Sequence, residues 1–557
     1  MRSKRWLLLL LALVWSCNGP STPSPTAPDT TSTTTRASTT FTTSATTSTL
    51  PPIDASETLR VGTTAPITNL DPADAFTFGD WEILNAVGGG LLRFEPGGNT
   101  IVPGTAQDLP EVSEDGRTYT FQLDPEAEFA DGTALTAPIY VEQIDRVRRL
   151  AGRGSDLISF YVANVEAPDD STVVFNLHDA FAFFPSLVAG TPYLAFHPDA
   201  YPSDQLTPSP EPPVYGTGPW YIESVSETEV VLEANPRYSG ADQRPGRIVI
   251  RVFATTDEMA SALANGDVDL LWRGVDGETA ESLSDVDGVN VASVPGGTLH
   301  FLTVNHSDAP TDDQRVRQAI AESIDRGAVI DATLGDAFQP SFSPIPPGLT
   351  GSVDAFEEVY GDPDVSTAID LLSDAGYTEA SPAEIELGYP PERFGLDIAA
   401  ALEQIELQIE ATGLAKVTLT AQPWNTYVGA VVEGTYDLAF LGWLHDFPDP
   451  HNYLAPFVLD GGLGGSGQDL AFPELPQLVG DAAAESDADE RAAAYGEIQD
   501  LFAQDVVTIP LWIEHHYIAF ADRISGSETF TSPESLNVGA TQILDYRAIE
   551  FTDEGDG

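Results

Sequence analysis

"PGTAQDLPEVSEDGRTYTFQLDPEAEFADGTALTAPIYVEQIDR" runs from Pro103 to Arg146. Two dipeptides punctuate it, Asp115-Gly116 and Asp131-Gly132. Pairs of this kind tolerate the left-handed backbone of a tight turn. Thr118 to Leu123, TYTFQL, alternates polar and apolar side chains, the period of a half-buried strand. STVVFNL (171–177) and LRVGTT (59–64) read the same way. The spacing predicts helices over 80–94 (DWEILNAVGGGLLRF, opening on Asp80 and ending in glycines), 315–325 (RVRQAIAESID), 397–413 (DIAAALEQIELQIEATG) and 488–505 (ADERAAAYGEIQDLFAQD). Gly413 stands where a C-cap belongs. Strands and helices together, with no internal repeat, indicate a mixed α/β chain from Leu59 onward.

At 557 residues the chain exceeds one simple core, and two or three domains are expected. Its 24 basic residues stand against 86 acidic ones, a net charge of −62, and the only lysines are Lys4 and Lys416. That field opposes phosphate backbones and anionic lipid surfaces, so nucleic acid is excluded as a partner. The acids are spread along the whole chain, as in a solvated surface suited to high salt.

Cys17 is the sole cysteine, which rules out an intrachain disulfide and a CxxC metal site. Arg2, Lys4 and Arg5 precede an apolar run from Trp6 to Trp15, too short for the ~20 residues that span a bilayer. Val14-Trp15-Ser16-Cys17 follows. Residues 1–16 read as a secretory signal peptide whose end resembles a lipobox, with Cys17 the lipidated residue. Residues 17–57 form a tether: 20 of the 29 residues from Ser21 to Thr49 are Ser or Thr, too polar to offset their ordering entropy. Such a chain reaches roughly 35 Å.

Enzyme chemistry finds little purchase. No Gly-Lys pair exists, so no P-loop, and G-x-S-x-G, H-E-x-x-H and S-x-x-K are all absent. His515 and His516 lack a third ligand at metal spacing and read as buried structural histidines. Asp446 with Asp449, and Asp267 with Asp269, are acid pairs that arise readily among 86 acids. No catalytic residue, cofactor or metal is expected; an extracytoplasmic hydrolase stays only as a remote alternative. GWLHDFPDP (442–450) is different. Trp443 and Phe447 flank His445 and Asp446, which suits an organic cation, and equally suits a packed turn.

Six segments in order resemble the family 5 extracellular solute-binding proteins, the oligopeptide- and dipeptide-binding components of ABC importers. They are ITNLDPADAFTFGDWEILNAVGGGLLRF (67–94), the 103–146 stretch, GTGPWYIESV (216–225) with NPRY (235–238), ALANGDVDLLW (262–272), VNHSDAPTDDQRVRQAIAESIDR (304–326) and GTYDLAFLGWLHDFPDP (434–450). The likeness covers about 59–520. It implies a bilobed periplasmic-binding-protein-like fold of type II, two α/β lobes joined by a hinge. The first lobe would comprise 58–92, 206–302 and the return 518–557, with 93–205 an extra subdomain, and 303–517 the second lobe. It further implies a monomeric lipoprotein outside the cytoplasmic membrane or in the periplasm, which hands peptides to an ABC permease. A nickel chelate or an oligosaccharide is the alternative solute.

The same resemblance assigns site residues. Asp446, three residues after Trp443, takes the ligand's α-ammonium group. Trp424, 19 residues upstream of Trp443, is a second cleft tryptophan, and Phe76, Thr77 and Phe78 form the opposing wall. No arginine lies between Trp424 and Trp443, so Arg393 is the substitute for meeting a ligand carboxylate. His445 keeps the metal-chelate option.

Overall fold

The computed structural model describes residues 58–95, 100–240, 245–393, 398–525 and 543–551. Cys17, the signal peptide and the tether lie outside the described residues. Two unusually long strands organise the rest. Val289–Val304 and Thr508–Ala521 pair antiparallel along nearly their whole length and carry sheet on both flanks. In order, the sheet reads Ala415–Ala421, Ala383–Tyr389, Leu438–Trp443, the two long strands, Leu270–Leu271, Thr58–Thr63, Arg247–Val252, Glu229–Ala234 and Trp220–Val225.

Each flank has a parallel core fed by helices. Thr58–Thr63 is parallel to Arg247–Val252 and Leu270–Leu271, and helix Thr256–Ala264 links the latter two. On the other flank Ala383–Tyr389 is parallel to Ala415–Ala421 and to the strand ending at Trp443. Strands covered on both faces read as continuous apolar runs, and LAFLGW is one of them. Separate clusters fill the two flanks. Leu59, Trp220, Ile248 and Trp272 belong to one, and Leu387, Ile405, Phe440 and Trp512 to the other.

A third core lies beyond the main sheet. Thr118–Gln122, Thr172–Leu177 and Val162–Glu166, with Glu111–Val112, make a four-stranded sheet covered by helix Ala137–Leu150. Tyr119, Phe121, Tyr140, Phe175 and Phe184 pack there. Gly116 and Gly132 have φ of +68° and +89°, as the Asp-Gly turns require. Gly216 and Gly218 act otherwise than as turn residues. Neither has positive φ; a Cβ on them would sit 1.9 and 2.7 Å from the Val87 carbonyl oxygen. Their role is close backbone approach. Asn235 ties this element to the NPRY turn: its side-chain amide donates to Gly218 O at 2.8 Å and its carbonyl accepts from Arg237 N.

The first helix spans Phe78–Val87, two residues earlier than the Asp80 start expected. Thr77 caps it, accepting from Asp80 N at 3.2 Å. Asp80 turns back instead to accept from the backbone of Thr68 and Asn69. Helix Ala488–Asp505 falls where its periodicity places it, capped by Asp487.

Candidate functional site

Trp443 is the last residue of strand Leu438–Trp443, and helix His451–Val458 begins after Pro450. Asn452, on that helix, fastens the intervening loop. Its side-chain oxygen accepts from Trp443 Nε1 and from Asp446 N, both at 3.1 Å. Its amide donates to Asp446 Oδ2 at 3.3 Å. The other carboxylate oxygen, Oδ1, is inaccessible and receives no hydrogen bond. Burial pushes the Asp446 carboxyl up to about 7, opposed by the Asn452 amide. His445 Nδ1 lies 3.0 Å from the Tyr453 hydroxyl, which donates to Gly297 O at 2.9 Å.

The second half of the loop is spent on packing. Phe447 stacks on Phe183 at 4.9 Å and meets Tyr161 edge-on at 5.8 Å, both from the four-stranded subdomain. His451 stacks on the other side of this aromatic group, 5.0 Å from Phe183. Asp449 accepts from Arg491 at 2.8 Å and from His451 N at 2.9 Å. Burial still raises its carboxyl above the ordinary range, with Arg491 acting against that.

A cavity of about 250 Å³ opens beside the loop, and Phe447 and Pro448 reach it as well as the first half. His445 and Asp446 line it from one side; Gly89, Tyr193, Arg237 and Tyr546 are among the residues opposite. Glu82 also lines it, buried, with Trp272 Nε1 donating at 2.9 Å and the Tyr546 hydroxyl donating as well. Burial raises the Glu82 carboxyl, and Arg273 offsets part of the shift.

The other expected site residues stand off this cavity. Trp443 is 6% exposed and packs edge-on against Phe457. Trp424 opens helix Trp424–Val432, and the Arg393 guanidinium lies 4.7 Å over its ring. Arg393 thus faces an aromatic surface. Phe76 is buried against Trp81 at 5.2 Å, Thr77 is a helix cap, and Phe78 lies 4.2 Å beneath the Arg273 guanidinium. Trp81, which touches both phenylalanines, does line the cavity. His515 and His516 are half-buried, not buried: His515 Nδ1 meets Ser293 Oγ at 3.0 Å and His516 meets Trp272 edge-on. Asp269 accepts from Arg60 and Arg523, so this acid is structural.

Sequence reasoning missed Asn452, Tyr453 and Glu82. A faint signal existed for the first two in DPHNY (449–453), where an Asp-Pro turn precedes a helix whose first side chains face back over the loop. Glu82 gave none, since its partners Trp272 and Tyr546 are remote in sequence.

The model of bacterial extracellular solute-binding proteins, family 5, middle region, matches residues 100–465, and the chain belongs to that family. Its fold is that of the type II periplasmic binding proteins. The probable D,D-dipeptide-binding periplasmic protein DdpA of Escherichia coli K12 is 24% identical over 482 residues, which covers 84% of this chain and 90% of DdpA. The unliganded open form of the periplasmic murein tripeptide-binding protein MppA superposes with a TM-score of 0.75 at 20% identity, covering 89% of this chain and 97% of MppA. HbpA2 of Haemophilus parasuis superposes with a TM-score of 0.77 at 21% identity, over 89% of this chain and all of HbpA2, 100%.

Proposed function

We propose that this protein is the extracytoplasmic receptor of an ABC importer that captures short peptides, with Asp446 holding the α-ammonium group. The observation that carries the reading is the Asp446 carboxylate: half-buried at a cavity, with one inaccessible oxygen receiving no hydrogen bond. A protein gains nothing in stability from such a group, whereas an ammonium ion completes it with a short charge-assisted hydrogen bond. The DdpA and MppA names, which specify a dipeptide and a murein tripeptide, support the same solute class. His445 is engaged with Tyr453, which favours the peptide over a metal chelate.

The remaining site residues take supporting roles in this reading. Trp443 fixes the Asn452 staple, Trp424 with Arg393 offers a flat cationic face, and Phe76, Thr77 and Phe78 hold Trp81 at the cavity wall. The first lobe comprises 58–92, 206–302 and the return after 518, the subdomain 93–205, and the second lobe 303–517. The body is a monomer anchored through Cys17 and delivers its solute to a membrane permease without chemical change. Among the described residues no helix is long and apolar enough to cross a membrane.

Calorimetric titration with a short-peptide pool tests the reading. Asp446→Asn is expected to weaken binding at least tenfold, since removing one partner of a buried charge pair costs ~2–5 kcal/mol. Unchanged affinity contradicts the role given to Asp446. Separately, Cys17→Ser is expected to move the protein out of the membrane fraction; retention there contradicts the anchor.

A further inference from the structure

The pairing of the two long strands slips where they cross between lobes. Pro295 faces His515 and Leu299 faces Ile513, so Gly296, Gly297 and Thr298 bulge opposite the single residue Glu514. The approach is close: a Cβ on Gly296 would lie 2.3 Å from the Glu514 carbonyl oxygen. Glu514 alternates with Trp512 and His516, which pack on Phe440 at 5.8 Å and Trp272 at 5.7 Å, one contact in each lobe. Its side chain therefore stands, half-buried, on the strand face between those two contacts.

Among the described residues, no hydrogen bond or ion pair reaches this carboxylate. Burial alone acts on its acidity and pushes it up to about 7. Other deeply set acids nearby have partners: Asp449 has Arg491, Glu82 has Trp272 and Tyr546. Asp446, with its empty Oδ1, is the exception, and its loop reaches the same bulge through His445, Tyr453 and Gly297 O. Two acids without a cationic partner among the described residues thus attach to one interlobe crossing. An acid partly shielded from water and left without a cation gains the empty protein nothing, which a purely structural role does not explain.

We propose that Glu514 is a second anionic subsite of the interlobe cleft, and that the preferred solute carries two cationic groups, as does a short peptide with a lysine or arginine side chain. The inference rests on the peptide reading of Asp446. The first cation goes to Asp446 and the second to Glu514. The net charge of −62 assists by raising the local concentration of cations.

The test titrates the full-length protein with Ala-Ala-Ala, Ala-Lys-Ala, Ala-Ala-Lys and the norleucine analogues of the last two. A lysine peptide is expected to bind at least tenfold tighter than its norleucine analogue. Glu514→Gln is expected to erase that margin while tri-alanine affinity stays within about twofold; Asp446→Asn weakens every peptide. A wild-type protein indifferent to lysine, or a margin that survives Glu514→Gln, overturns the proposal. Should no peptide bind, the peptide reading fails, and cadaverine against pentylamine then decides the subsite alone. Tighter binding of the diamine, lost in Glu514→Gln, upholds it, and equal or absent binding of the two amines overturns it. Glu514→Gln should unfold at no lower temperature than wild type, which separates lost binding from lost folding.

Discussion

Asp446 and Asp449 stand three residues apart on one loop and lead opposite lives. Asp449 is closed: Arg491 and the His451 amide satisfy it, and Phe447 and His451 lock the surrounding chain onto the subdomain. Asp446 is unsatisfied: Asn452 holds one oxygen, the other receives no hydrogen bond, and the residue lines a cavity. In the proposed reading a pair of acids close in sequence divides into an anchor and a receptor. The anchor half gives the receptor half a rigid base, and a preorganised carboxylate lowers the ordering cost of binding.

The comparison breaks most severely at Arg491. Arg491→Ala leaves Asp449 buried without its cation, and is expected to cost ~3–5 kcal/mol, read as a lower urea midpoint. The Asp449→Ala, Arg491→Ala double variant should lose less than the sum of the singles; additive losses would mean that the pair is not coupled. Phe447→Ala removes a ring stacked between Phe183 and Tyr161, at a cost of about 3 kcal/mol, with a direct loss at the lobe–subdomain contact.

Asp446→Asn should act in the reverse direction on the empty protein. Its folded carboxyl, pushed up to about 7, holds a proton that the unfolded chain has released at the ordinary value near 4. The folded state therefore binds more protons between those values, so the Asp446 contribution falls as pH rises from about 4 to 7 and stays low above. Asp446→Asn should raise Tm at pH 8, by the equivalent of ~1–2 kcal/mol, and leave it unchanged near pH 4. A lower Tm at pH 8 would make Asp446 a structural acid like Asp449. The smallest effect belongs to Thr77→Ala, which loses a helix cap and about 1 kcal/mol of stability without touching the loop.

Much of the frame was legible because it is local. The Asp-Gly turns need only their own backbone, and helix Ala488–Asp505 needs only its caps and periodicity. The ordered motifs supplied the family, and the resemblance pointed to Asp446. Elements built from distant chain were not legible. Phe447 read equally as an aromatic beside a ligand or as part of a packed turn; it lines the cavity, and the partners it packs on, Phe183 and Tyr161, lie far upstream. Phe76 and Thr77 stood next to the right helix, but packing and capping occupy their side chains. Arg393 was placed by charge alone, and the Trp424 ring lies beneath it. Local pattern marks where a side chain stands, and only tertiary contact decides whether it is occupied.

The most direct measurement is a calorimetric titration of the full-length protein, at pH 8, with a short-peptide pool before and after N-acetylation. Asp446 as an unsatisfied acid predicts binding that acetylation abolishes, because the neutral amide brings no charge to the empty oxygen. Equal binding of the free and acetylated pools would contradict it, and would return Asp446 to the company of Asp449.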